Sequence, residues 1–139
     1  MFNCIVLGLD GSQHSLLALE RAKTLAERFG AKLILVHAYP RTSDLRDLEG
    51  YDRLVAQRKN AGQEILDSAR QLLGEGSFEL EEDLLEGPAT DAILSVAEIR
   101  RTDLIVLGTR GMGSVTGLLV GSVSDKVTHH APCSVMVVR

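Results

Sequence analysis

The chain reads as an α/β protein built on a five-stranded parallel sheet with helices on both faces, and three observations predict it. Short, wholly apolar runs such as Leu33-Ile34-Leu35-Val36 and Leu104-Ile105-Val106-Leu107 suit strands buried on both sides, as parallel strands are. These runs alternate with longer segments of helical period, and right-handed crossovers between parallel strands lay such helices on the two sides of a sheet. The run ending at Leu107 opens directly into Gly108-Thr109-Arg110-Gly111, a strand-to-glycine junction of the kind that meets ligands at a sheet's carboxyl edge.

Each element can be justified in order. Cys4 to Leu9 is the first strand, and Leu16, Leu19, Ala22, Ala26 and Phe29, spaced three and four apart, trace a helix closed by Gly30. The second strand is Leu33 to Val36, followed by a polar connection from Pro40 to Gly50. Tyr51, Leu54, Arg58, Ala61, Ile65, Ala69 and Leu72 then mark a long helical stripe, with Arg58 its one polar member, ending at Gly74-Glu75-Gly76. Phe78, Leu80 and Leu84 alternate with acidic residues, so the third strand is expected half exposed at a sheet edge, ended by Gly87-Pro88. A short helix follows over Ala89, Ile93, Val96 and Ala97. Asp103 introduces the fourth strand, and the Gly108 loop leads to Ser122 as helix N-cap, with Val123 and Val127 facing inward. Pro132 stops that helix, and Cys133 to Val138 is the fifth strand.

Composition bounds the function. At 139 residues the chain has the common size of one domain and is read as one, 1–139. Lys and Arg total 15 against 19 for Asp and Glu, a net charge of −4, and no basic block marks a nucleic-acid groove. No apolar stretch approaches the roughly 18 residues needed to span a bilayer, and Met1-Phe2-Asn3 leads straight into a strand without a signal peptide's charged region, so a cytoplasmic location is expected. The two cysteines, Cys4 and Cys133, lie in apolar runs and are expected buried and reduced. With a strand between them they would stand about twice 4.8 Å apart, too far to bridge.

The glycine-rich junction carries the chemistry. Glycines after a strand let bare backbone N–H groups approach a phosphate, and a following helix N-terminus adds about half a positive charge. Gly108 to Gly113 has a P-loop's frame, but Ser114 and Val115 stand where Lys and Ser/Thr should be. Gly111-Met112-Gly113 begins like a dinucleotide fingerprint, yet Gly117 falls one position late. What fits is G-x2-G-x9-G-S, from Gly108 through Gly111 to Gly121 and Ser122. In that pattern the chain resembles the ATP-binding members of the universal stress protein family. The likeness extends to Cys4 through Ser12, to Leu33 through His37 and to Ala131 through Val138, essentially the whole chain.

The resemblance implies the Rossmann-like strand order 3-2-1-4-5, which puts a switch point between strands 1 and 4. There Gly8, Leu9 and Asp10 would meet Gly108, Thr109, Arg110 and Gly111. It also implies that Asp10, Ala38, Gly108, Gly111, Gly121 and Ser122 line a site for ATP with Mg2+. Backbone N–H groups around Gly111, Ser122 and Val123 can face phosphates, and the hydroxyls of Ser122 and Ser124 can donate to them. Asp10 suits a ribose hydroxyl or the adenine amine, and Ala38 a small apolar contact to the base. Plainer roles stay open: Asp10 can be a turn and capping residue, Ser122 simply an N-cap, Arg110 a solvated side chain.

Catalysis has less support. His14, His37, His129 and His130 fall in no metal-ligand spacing, and no G-x-S-x-G elbow is present. His37 is expected to be a satisfied core residue, and His129 and His130 to close a helix. The reading is an ATP-binding stress-response regulator, at most a slow ATPase; the alternatives are a nucleotide-free interaction module and an enzyme acting on nucleotides. The fifth strand carries no charge or proline before Arg139 to blunt its edge, and the resemblance implies that Cys133 to Val138 pairs with its twin in a homodimer. An unknown protein partner also remains compatible with the sequence.

Overall fold

The computed structural model describes residues 1–109 and 122–139. Arg110, Gly111 and Gly121 lie outside these residues. Five strands, β1 (Cys4–Gly8), β2 (Lys32–Tyr39), β3 (Leu80–Glu86), β4 (Leu104–Gly108) and β5 (Ser134–Val138), form one sheet in the order β3-β2-β1-β4-β5. Every neighbouring pair is parallel, as continuous apolar runs require. Around the sheet stand α1 (Gln13–Phe29), α2 (Tyr51–Leu73), α3 (Ala89–Ile99) and α4 (Ser122–His130), with a short 3-10 turn at Ser43–Leu45 after β2.

The strand period of two divides the core between the faces. Ile5, Leu7, Leu33, Leu35, Leu104 and Val106 pack with Ala18, Leu19 and Ala22 of α1 and Leu66, Ala69 and Leu73 of α2. Val6, Ile34, Val36, Ile105 and Leu107 point the other way, against Ile93, Val96 and Ala97 of α3 and Val127 of α4. Burying each large aliphatic side chain contributes about 1.5–3 kcal/mol, so alternate residues of the same strand stabilise opposite layers.

Several elements differ in detail from the sequence reading. In α1 the buried face is Ser15, Ala18, Leu19, Ala22 and Ala26, while Leu16 is 39% exposed and Phe29 41%. Phe29 instead meets the Phe2 ring edge-on, with centroids 5.3 Å apart. In α2 the buried lane is Gly62, Leu66, Ala69 and Leu73, whereas Ala61 and Leu72 are exposed and Ile65 half-buried, so the expected stripe is displaced by one residue at each of these three positions and holds at Ala69. β5 begins at Ser134, not Cys133. Both cysteines are free but half-buried, not fully buried. The Cys4 Sγ lies 3.7 Å from Thr102 Oγ1, and burial pushes the Cys133 thiol up from its ordinary value. Since β4 pairs with both β1 and β5, it separates the strands beside which the two thiols lie.

β3 is the expected edge strand. Its carboxylates are matched by cations from three elements: Lys32 to Glu81 at 3.1 Å, Arg100 to Glu81 at 3.0 Å and Arg70 to Glu82 at 2.6 Å. The hydrogen bonds from Lys32 and then Arg100 hold Glu81 below the usual carboxylate range. Charge along an open edge also discourages another chain from adding to it.

Candidate functional site at the carboxyl edge of the sheet

The chain leaves β1 for β2 and β2 for β3 through helices packed on one face, then returns to β4 and β5 through helices packed on the other. The direction reverses between β1 and β4, and such a switch point, beyond the carboxyl ends of the strands, is where open α/β sheets take ligands. Gly8 and Gly108 stand at those ends, and each is glycine because of what lies against it. A Cβ on Gly8 would lie 2.6 Å from Leu107 Cδ2 and 2.8 Å from Ile93 Cδ1. One on Gly108 would lie 2.7 Å from the carbonyl carbon of His14, so the bare backbone there lets the first turn of α1 close over β4. Both positions therefore have a packing reason that is independent of any ligand.

After Gly8 the chain runs through two tightly held residues. The Leu9 N–H donates to the Val36 carbonyl at 2.9 Å, and the Leu9 carbonyl lies 2.6 Å from His37 Nδ1. Asp10 is exposed, and its Oδ1 accepts from the Ser12 N–H at 2.8 Å in an Asx-type turn. Ser12 then caps α1, its Oγ accepting from the Ser15 N–H at 3.3 Å. The local turn thus uses one carboxylate oxygen of Asp10, and the second, Oδ2, is in no hydrogen bond of the described residues.

The β4 side is more self-contained. The Thr109 N–H donates to the Val138 carbonyl at 2.8 Å, and the Thr109 carbonyl accepts from Ser124 Oγ at 3.4 Å. Thr109 is 4% exposed and Ser124 3%, so this contact seats the start of α4 on the end of β4. Ser122 is exposed and is already the first helical residue of α4, and Val123 is partly buried against the α3 and α4 core. The structure thus brings Gly8, Leu9, Asp10, Gly108, Thr109, Ser122, Val123 and Ser124 to one edge of the sheet. Ala38, half-buried and paired with Leu85, lies one strand over near the end of β2.

One part of this rim was not legible as a site in the sequence. Beyond Ala38, the Thr42 N–H and Oγ1 both donate to Glu86 Oε1, at 2.6 and 2.7 Å, tying the segment after β2 to the end of β3. These two bonds hold the Glu86 carboxyl below its ordinary range. Arg58 of α2 donates to the Arg41 carbonyl and pairs with Asp44 at 3.1 Å. The signal for it was Arg58 as the polar member of an otherwise apolar stripe. Among the described residues no group of three or more His, Cys, Asp or Glu side chains is placed to hold a metal, and no helix is long and apolar enough to cross a membrane.

The geometry of this edge can be set beside known proteins. The family model described as the universal stress protein family matches residues 1–139. The chain belongs to that family. A universal stress protein of Thermus aquaticus is 39% identical over 139 residues, covering 100% of both chains. Among solved structures, the universal stress protein UspA from Lactobacillus plantarum superposes with a TM-score of 0.86 at 26% identity, covering 99% of this chain and 98% of that one. A universal stress protein described in complex with cAMP superposes with a TM-score of 0.66 at 28% identity, covering 99% and 97%. This universal stress protein thus shares the family's Rossmann-like α/β fold over its whole described length.

Proposed function

We propose that this universal stress protein binds ATP, carried with Mg2+, in the crevice between β1 and β4, and acts as a small homodimeric regulator whose state follows the bound nucleotide. The observation that carries the reading is the exposed Asp10 carboxylate at the switch point, with one oxygen fixed by Ser12 and the other turned to no protein partner among the described residues. A carboxylate repels phosphate, so its use is beside the nucleoside, accepting from ribose or the adenine amine. The phosphates belong at the start of α4, where the helix dipole favours negative charge and which the G-x2-G-x9-G-S motif reaches in sequence at Ser122. Mg2+ would ride on the phosphate oxygens. A family relative described in complex with cAMP supports an adenine nucleotide as the ligand class.

Ser124 and Thr109 serve this reading as scaffolding, since their mutual bond fixes α4 against β4. This reading assigns the chain at most slow ATP hydrolysis. The dimer is proposed through β5, whose outer Ser134–Val138 edge pairs with no other strand among the described residues and which lacks charge within the strand.

The test is mass spectrometry of small molecules released by denaturing the freshly purified protein. An adenine nucleotide near one per chain is expected. Protein that yields none, and that takes up no ATP when it is offered with Mg2+, would favour an interaction module that works without nucleotide. Gly121→Val adds a test of the phosphate side: ATP binding should fall at least about tenfold, roughly 1.4 kcal/mol, and AMP binding less.

A further inference from the structure

The end of β1 is held by a side chain. Its register with β2 runs from Cys4↔Lys32 to Gly8↔Val36, and the Leu9 N–H extends the ladder by one bond to the Val36 carbonyl. The next acceptor, the Leu9 carbonyl, is taken by His37, whose Nδ1 stands 2.6 Å away. A carbonyl oxygen can only accept, so Nδ1 carries the proton and donates it. Leu9 is 6% exposed and His37 8%, so water competes little with this bond.

That carbonyl belongs to the planar peptide unit that also contains the Asp10 N–H. The Leu9 N–H, held by Val36, fixes the peptide before Leu9, and the Leu9 carbonyl, held by His37, fixes the next one, which enters Asp10. The bond from Ser12 N–H to Asp10 Oδ1 then sets the side chain. Helix α2 keeps the imidazole in place: a Cβ on Gly62 would lie 3.2 Å from His37 Cδ2 and 2.8 Å from Leu84 Cδ1, so glycine there lets the helix close on the ring.

We infer that His37 is a positioning residue of the nucleotide site, its Nδ1–H fixing the Leu9–Asp10 peptide and thereby aiming the Asp10 carboxylate at the nucleoside. The inference rests on the proposed role of Asp10 as nucleoside acceptor. His37→Phe keeps a ring and removes the donor. His37→Asn sets an amide N–H at the place of Nδ1, one bond from Cγ, and should restore the contact. The two residues form one network, so their effects on binding should not add.

The experiment is calorimetric titration of AMP into wild type, His37→Phe, His37→Asn, Asp10→Ala and the double variant Asp10→Ala/His37→Phe. We expect His37→Phe to weaken AMP at least about threefold, His37→Asn to stay within about twofold of wild type, and His37→Phe to cost nothing further once Asp10 is alanine. Should His37→Phe not fold, His37→Gln, whose amide sits one bond too far out, takes its place. The inference is overturned by wild-type affinity in His37→Phe, by an equal loss in His37→Asn, or by the same loss repeated in the Asp10→Ala background. Unchanged AMP affinity in Asp10→Ala would instead overturn the assignment of Asp10 itself.

Discussion

Two tasks, one observed and one proposed, fall to the two oxygens of Asp10, and they can be separated. Oδ1 accepts from Ser12 N–H, an interaction that shapes the turn into α1. A hydrogen bond from a ligand to a charged group contributes roughly 1.5–3 kcal/mol, so Asp10→Ala should weaken AMP and ATP alike, on the order of tenfold to a hundredfold. Titration of both nucleotides into the folded variant checks this, and a loss confined to ATP would move Asp10 to the phosphate side. Gly108 makes a different prediction, because a methyl group there meets the main chain of His14 and not the end of a flexible side chain. Gly108→Ala should therefore cost about 1–3 kcal/mol of stability even without nucleotide, readable by chemical denaturation. A variant as stable as wild type would show that α1 can retreat from β4 at no cost.

At the scale of elements, the strands were legible and the helix faces only partly so. A parallel strand is apolar on both sides, so Leu33 to Val36 and Leu104 to Leu107 announce themselves without any need to choose a face. A helix must be rotated correctly as well as found, and large residues can mislead: in α1 the sheet receives Leu19 together with the small side chains of Ser15, Ala18, Ala22 and Ala26, while Leu16 and Phe29 are exposed. Gly62 in α2 is the same effect taken further, since nothing about a glycine in sequence marks it as a core position. The meeting of the β1 and β4 ends followed from the strand order that the family resemblance implied, whereas the grip of His37 on Leu9 and the tie of Thr42 to Glu86 depend on neighbours across the sheet and have no local signature.

The Thr42 tie predicts a pH dependence. Hydrogen bonds from Thr42 depress the Glu86 carboxyl in the folded chain, so it contributes stability above the unfolded value of about 4.3 and loses it as pH falls through the lower folded value. Thr42→Val removes the hydroxyl donor and should flatten the acid side of the stability curve below about pH 4.3, with little change in slope near neutrality. Equal acid slopes for the two proteins would contradict the assignment. For β5, Val137→Pro removes a strand N–H and should shift the proposed dimer to monomer or aggregate in light scattering; a wild type that is monomeric at micromolar concentration would remove β5 as an interface.

For the whole molecule, the reversal of strand order is what turns two distant segments into one site. Gly8 to Asp10 and Gly108 to Thr109 lie about a hundred residues apart in the chain, yet β1 and β4 are neighbours, and the helices that separate them in sequence lie on opposite faces. A ligand held there would touch both halves of the sheet, the route by which we propose that bound nucleotide sets the state of the proposed β5 dimer. The most direct measurement is calorimetric titration of ATP with Mg2+ into full-length protein freed of bound small molecules. The account predicts saturable binding of one ATP per chain, weakened by Asp10→Ala; an absence of saturable binding in the folded wild type would contradict it.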